Sequence, residues 1–226
     1  MLEIVKELVY EILKNDNSGH GIDHIERVLN LSLKFCKEEK GNIEKVVLIA
    51  LLHDVDDYKL FGIDNANNLT NAKKILDKID INCDIKEEIL DNVKCIGFNK
   101  RLKGIIPKSL EGKIVSDADM CDALGVTGVL RTYQYSLKYN KPFFDKNIFP
   151  IENITSDNYN KICSETSVCH IFEKILKLKG LMLTNSGKKE ASLREKIVID
   201  ILYNLFYEEN SNEWKNYLDN YLIKRK

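Results

Sequence analysis

IEKVVLIALLHD, residues 43–54, is the stretch on which the fold turns. Its middle, VVLIALL, contains no polar position, so a helix built from it presents apolar side chains almost all round. Such a helix belongs at the centre of a bundle. Gly41–Asn42 separates it from the preceding segment, and His53–Asp54 closes it. Acidic side chains are rarely buried without a partner or a metal. An imidazole and a carboxylate at the end of the most buried helix are therefore the first sign of chemistry.

The neighbouring segments carry the same helical period. Residues 2–15 place Leu2, Val5, Leu8, Val9, Ile12 and Leu13 on one face, and residues 22–39 repeat the pattern. The periodicity predicts further helices over 69–78, 85–96, 110–139 (two, divided near Gly125–Gly128), 164–179, 187–207 and 213–223. Residues 56–68 read as a polar loop, 97–109 as a basic loop and 142–157 as a third loop. No strand-period alternation is sustained. With 3 prolines and 11 glycines in 226 residues, breakers are few, and the fold class is all-α. A hydrophobic share of 44% supplies a real core. The expected organisation is a helical core with the functional site over residues 1–140, and a C-terminal helical extension over 141–226 packed on it as a cap.

A net charge of −1 gives no overall positive field, which argues against a nucleic-acid polymer as partner. Cys36, Cys83, Cys95, Cys121, Cys163 and Cys169 form no C-x-x-C pair, so they read as reduced thiols of a cytoplasmic protein. MLEIVKELVYEILK is amphipathic and acidic, unlike a signal peptide or a membrane span. No membrane partner is expected. The C-terminal helices offer a surface for a homodimer.

The histidines are His20, His24, His53 and His170. If the second and third helices pack antiparallel, His24 meets the end of the third. Asp119 lies in a further helix, IVSDADMCDALG. Two imidazoles and two carboxylates from three helices suit Mn²⁺, Mg²⁺, Fe²⁺, Co²⁺ or Ni²⁺ better than structural zinc. The residues alone leave a plainer reading open: a histidine that caps a helix, and Asp117, Asp119 and Asp122 as solvated or capping acids.

The pattern H-x₂₈-HD followed by a distant Asp, here His24, His53–Asp54 and Asp119, resembles the HD superfamily of metal-dependent phosphohydrolases. The strings GHGIDHIERVLNLS, VVLIALLHDVDDYK, IVSDADMCDALGVTGVLRTY and HIFEKILKLKGLMLTNSGKK are similar to the bacterial branch containing nucleoside triphosphate pyrophosphohydrolases. The likeness spans roughly residues 18–190. It implies an HD-domain bundle in which His24, His53, Asp54 and Asp119 hold one divalent ion, Mn²⁺ or Mg²⁺ foremost. The choice of Asp119 over Asp117 rests on the resemblance; residues two apart on a helix point about 200° apart, so both cannot serve one site. No histidine lies between His53 and His170, whereas members with two metals carry extra ones there. Met120 stands where the family usually has Arg.

The implied activity is hydrolysis of a small phosphorylated substrate, a (d)NTP giving (d)NMP and pyrophosphate. Alternatives are a phosphomonoesterase, a (p)ppGpp-type hydrolase, or a degenerate HD module that binds a ligand without catalysis, which Met120 favours. Acids following HD resemble the water-orienting pair of (p)ppGpp hydrolases, which points to Asp57 as general base with Asp56 as companion; as plain residues they read equally as loop or cap acids. Arg27, Lys59, Arg131 (in a string similar to the family's GIART), His170 and Lys177 are the candidate substrate contacts, set against ordinary solvated cations. His20 is either the hydrogen-bond partner of a ligand imidazole or a loop histidine. Tyr58, Phe61, Phe98, Tyr133, Tyr135, Phe143 and Phe144 either stack a base or belong to the core.

Overall fold

The structure is a computed structural model and describes residues 1–16, 21–151 and 164–225. Over those residues the chain is all-α, with no strand among them. The helices in order are α1 (Leu2–Leu13), α2 (Ile22–Glu39), α3 (Ile43–Leu52), α4 (Tyr58–Phe61), α5 (Ile63–Asn68), α6 (Thr70–Leu76) and α7 (Cys83–Val93). They continue with α8 (Phe98–Leu102), α9 (Leu110–Asp122), α10 (Gly125–Lys138), α11 (Ser167–Glu173), a 3-10 helix over Ile175–Leu181, α12 (Asn185–Glu208) and α13 (Asn212–Ile223).

Two expected loops contain short helices: α4 and α5 within 56–68, and α8 within 97–109. Each is too short to show a periodic apolar face. The helix expected over 164–179 is α11 followed by the 3-10 turn, with a break at Lys174. The compact units also differ from the division expected at residue 140. The first comprises Met1–Asp122 with Leu181–Lys189, and the second Ala123–Gly180 with Glu190–Lys226, so α10 falls in the second.

In the first unit α3 is the centre. Val46, Val47, Leu48, Ile49, Ala50, Leu51 and Leu52 are all buried. Fully burying a Val, Leu or Ile side chain contributes about 1.5–3 kcal/mol, so this one helix anchors the unit. Asn42 starts it, its side chain accepting the Lys45 amide at 3.1 Å. α1, α2, α7 and α9 pack around it. α2 ends at Lys40 in the left-handed conformation (φ 60°), with Gly41 next, a common way to stop a helix. In the second unit Trp214 is fully buried among Phe144, Phe149, Phe172, Phe206 and Tyr217. Its indole N–H donates to the Lys146 carbonyl at 3.1 Å. Phe144, half-buried, packs on Phe206 and Trp214, and Tyr133 packs edge-on against Phe143.

Cys36, Cys83, Cys95, Cys121 and Cys169 are free thiols, and Cys163 lies outside the described residues. Among the described residues no helix is long and apolar enough to cross a membrane.

Candidate metal centre

α2 and α9 pack against each other and against α3. The end of α3 is where they deliver their polar groups. His53 terminates α3 and Asp54 follows in the turn. α2 contributes His24 and, three residues on, Arg27. α9 contributes Asp119 and, three residues on, Asp122. Residues three apart share a helix face, so each helix presents two groups to the same place.

The His24 Nε2 atom is 3.2 Å from His53 Nε2, 3.3 Å from Asp54 Oδ2 and 3.5 Å from Asp119 Oδ1. His53 Nε2 is 3.7 Å from Asp54 Oδ2. His24, His53 and Asp119 each offer a ligand atom within 4.8 Å of the other two. Around an ion with ligands at 2.0–2.2 Å, atoms at right-angled to tetrahedral positions stand about 2.8–3.6 Å apart. The three contacts of His24 Nε2 fall within that spacing, and the His53–Asp54 contact lies just beyond it.

The outward nitrogens decide what the inward ones can do. His53 Nδ1 lies 2.8 Å from the Ala50 carbonyl oxygen, a group that only accepts, so Nδ1 carries the proton. His24 Nδ1 lies 2.7 Å from Asp122 Oδ2 and donates to that carboxylate. Each ring thus spends its Nδ1 on an acceptor and turns its Nε2 inward, the atom it would offer to an ion. Two inward Nε2 atoms beside two carboxylates, largely shielded from water, form a donor set that could hold a cation. The donor set therefore fits a divalent ion.

Asp122 is 1% exposed and is doubly held. Arg27 Nε donates to Oδ1 at 2.7 Å and Nη2 to Oδ2 at 3.1 Å, a side-on bidentate pair. The Asp122 hydrogen bond raises the Arg27 pKa above its ordinary value, against the opposing effect of burial. Sequence reasoning left Asp122 as an ordinary acid. The signal was present, since Asp122 shares a face with Asp119 and Arg27 with His24.

Asp117 points the other way. It is fully buried and accepts from the Leu183 amide (2.9 and 3.0 Å), the Thr184 amide (2.7 Å) and the Thr184 hydroxyl (2.7 Å). Burial pushes its carboxyl up from the ordinary value, and the Thr184 and Leu183 hydrogen bonds pull against that. A Cβ on Gly187 would come within 2.3 Å of Asp117 Oδ2, so only glycine allows this close approach.

Residues 21–124 match the HD domain family. The HD domain so defined contains His24, Arg27, His53, Asp54, Asp119 and Asp122. Bacillus subtilis YpgQ is 25% identical over 208 residues, 90% of this chain and 91% of YpgQ. Its crystal structure in complex with ADP has a TM-score of 0.69 at 20% identity, covering 92% of this chain and 94% of that one. A solved Lactobacillus plantarum protein reaches a TM-score of 0.79 at 29% identity, covering 93% of this chain and 97% of its own. An HD-superfamily hydrolase from Bacillus thuringiensis reaches 0.73 at 29% identity, again 93% and 97%.

The remaining expected residues divide between the units. Within the HD domain, Asp56 is 4% exposed, and its two oxygens accept the Asn71 and Ala72 amides, each at 2.9 Å. It thus binds first-turn amides of α6, which have no partner within the helix. Asp57 starts α4, with Oδ1 accepting the Lys59 amide at 2.9 Å. The Lys59 ammonium lies over the Tyr58 ring, 5.9 Å from its centroid. Met120 is 3% exposed, a core side chain. Arg131, His170 and Lys177 all belong to the second unit. There His170 Nδ1 is 3.3 Å from Ser164 Oγ, and burial lowers the Lys177 pKa. His20 lies outside the described residues.

Proposed function

We propose that this protein is a metal-dependent phosphohydrolase in which His24, His53, Asp54 and Asp119 hold one divalent ion, Mn²⁺ or Mg²⁺. The carrying observation is the pair of inward Nε2 atoms 3.2 Å apart beside the two carboxylates. The HD domain match and the likeness to an HD-superfamily hydrolase at 29% identity support the same reaction class. The chemistry supplied by a divalent ion there is Lewis-acid activation of water and neutralisation of phosphate oxygens.

The chain's own groups do the rest. Asp122 and the Ala50 carbonyl hold the two imidazoles by their Nδ1 atoms and so fix the direction of each Nε2. Asp57, three residues beyond Asp54, takes the proton of the attacking water. Asp56 acts as its companion, held in place by the two α6 amides that its oxygens accept. Lys59, Arg131, His170 and Lys177 are the cations proposed to balance substrate phosphates, with Arg27 contributing its remaining edge. His20 remains a proposed partner of a ligand imidazole.

The proposed substrate is a small nucleotide, with a (d)NTP cleaved between its α and β phosphates to (d)NMP and pyrophosphate. The YpgQ complex with ADP supports a nucleotide ligand. A panel of dNTPs, NTPs and nucleoside monophosphates, incubated with chelator-stripped protein and added Mn²⁺, tests the reading. Pyrophosphate release from a triphosphate, abolished by Asp119→Ala and slowed about 100-fold or more by Asp57→Asn, is the expected result. Orthophosphate from a monophosphate would point to the phosphomonoesterase alternative. Bound metal with no product would favour the ligand-binding module that Met120, buried where the family usually has Arg, already suggests.

A further inference from the structure

Resting on the metal reading above, we infer that Arg27 and Asp122 are positioning residues: Arg27 clamps Asp122, and Asp122 fixes the His24 ring so that its Nε2 faces the ion. Arg27 thus acts first on a ligand and only secondarily, through its third nitrogen, on substrate. The distances carry this. Asp122 spends Oδ1 on Arg27 Nε and shares Oδ2 between Arg27 Nη2 and His24 Nδ1. A carboxylate gripped along one edge cannot rotate, so the direction of its bond to His24 is set.

The two ligand imidazoles are supported unequally. His53 leans on a neutral backbone carbonyl, Ala50 O, whose position α3 dictates. His24 leans on a side-chain carboxylate that would swing without its guanidinium. A carboxylate partner also makes the imidazole a stronger donor. Charge is matched as well. Asp54 and Asp119 balance a divalent ion, and the Arg27 cation cancels the extra charge of Asp122. Lysine lacks the planar fork needed for the side-on pair, so geometry and charge can be separated experimentally.

The test uses the full chain stripped by chelator and Mn²⁺ alone as probe, with affinity measured by calorimetry. Asp122→Ala is expected to weaken Mn²⁺ binding about 10- to 100-fold, the usual cost of losing such a partner, and Arg27→Gln on the order of tenfold. Arg27→Lys should recover less than half of the Arg27→Gln loss on a logarithmic scale, because charge without the fork leaves Asp122 free to turn. Melting in chelator identifies any variant that merely fails to fold. The Co²⁺ absorption spectrum of Asp122→Asn, which keeps the shape of the side chain, should shift in position and intensity as the His24 ligand reorients. Full recovery by Arg27→Lys overturns the clamp. Unchanged Mn²⁺ affinity and an unchanged Co²⁺ spectrum across the variants, with normal uptake by the wild type, overturn the relay while sparing the metal site. A wild-type chain that takes up neither ion removes the metal site and the relay together.

Discussion

Asp117 and Asp119 stand two residues apart on α9 and face opposite neighbourhoods. Asp119 turns toward His24, with its Oδ1 3.5 Å from the His24 Nε2 atom, in the group proposed to hold a cation. Asp117 turns away from water altogether and spends its carboxylate on the Leu183 and Thr184 amides and the Thr184 hydroxyl. One face of the helix carries the proposed metal ligand and the other holds the chain together. Just beyond α3 two adjacent acids also differ in their partners: Asp56 binds α6 amides and Asp57 caps the start of α4.

Mutation can break this contrast from either side. The largest expected effect on stability is Asp117→Ala, which strands three buried donors. At about 1–3 kcal/mol per lost partner, it should cost about 3 kcal/mol or more. That corresponds to a fall in melting temperature of roughly 10 °C, measured in chelator, with Mn²⁺ uptake per folded molecule unchanged. Asp119→Ala should do the reverse. Stability in chelator stays within about 0.5 kcal/mol of wild type. The stabilisation gained from Mn²⁺ at a hundred times its Kd, about 2.7 kcal/mol, disappears from the melting curve. Metal-independent loss of stability in Asp119→Ala would erase the distinction between the faces.

Gly187→Ala sharpens the structural side. The added methyl meets Asp117 Oδ2, and about 2 kcal/mol of overpacking strain should appear as a lower denaturation midpoint without any change in metal affinity. Asp56→Ala is the smallest, about 1 kcal/mol from two uncapped amides of α6, read by urea denaturation. A loss of Mn²⁺ binding there would move Asp56 from the structural group to the functional one.

Much of this was legible in advance. The unbroken apolar run of α3 announced a central helix, and His24, His53 and Asp119 do converge at its end. What remained hidden had tertiary causes. Helical phase placed Arg27 beside His24, but whether it met solvent, substrate or a carboxylate depended on what α9 brought opposite. Asp122 looked like any acid near a helix end until the Arg27 and His24 bonds were seen. Asp56 could not be distinguished from Asp57 because the difference lies in the position of α6, and α4, α5 and α8 were too short for periodicity to register. The all-α class followed from many weak signals agreeing, whereas each of these roles depends on a single neighbour.

The tie between Asp117 and Thr184 also has a temporal consequence. The unit that carries the proposed metal ligands is left at Asp122 and rejoined only at Leu181, so synthesis of Asp119 precedes synthesis of the strap behind it by some sixty residues. At about 5–20 residues per second, a nascent chain waits several seconds with α9 made and the Asp117 carboxylate lacking its eventual donors. Native closure of this unit is thus a late event on the ribosome, although nearly all of its helices come first.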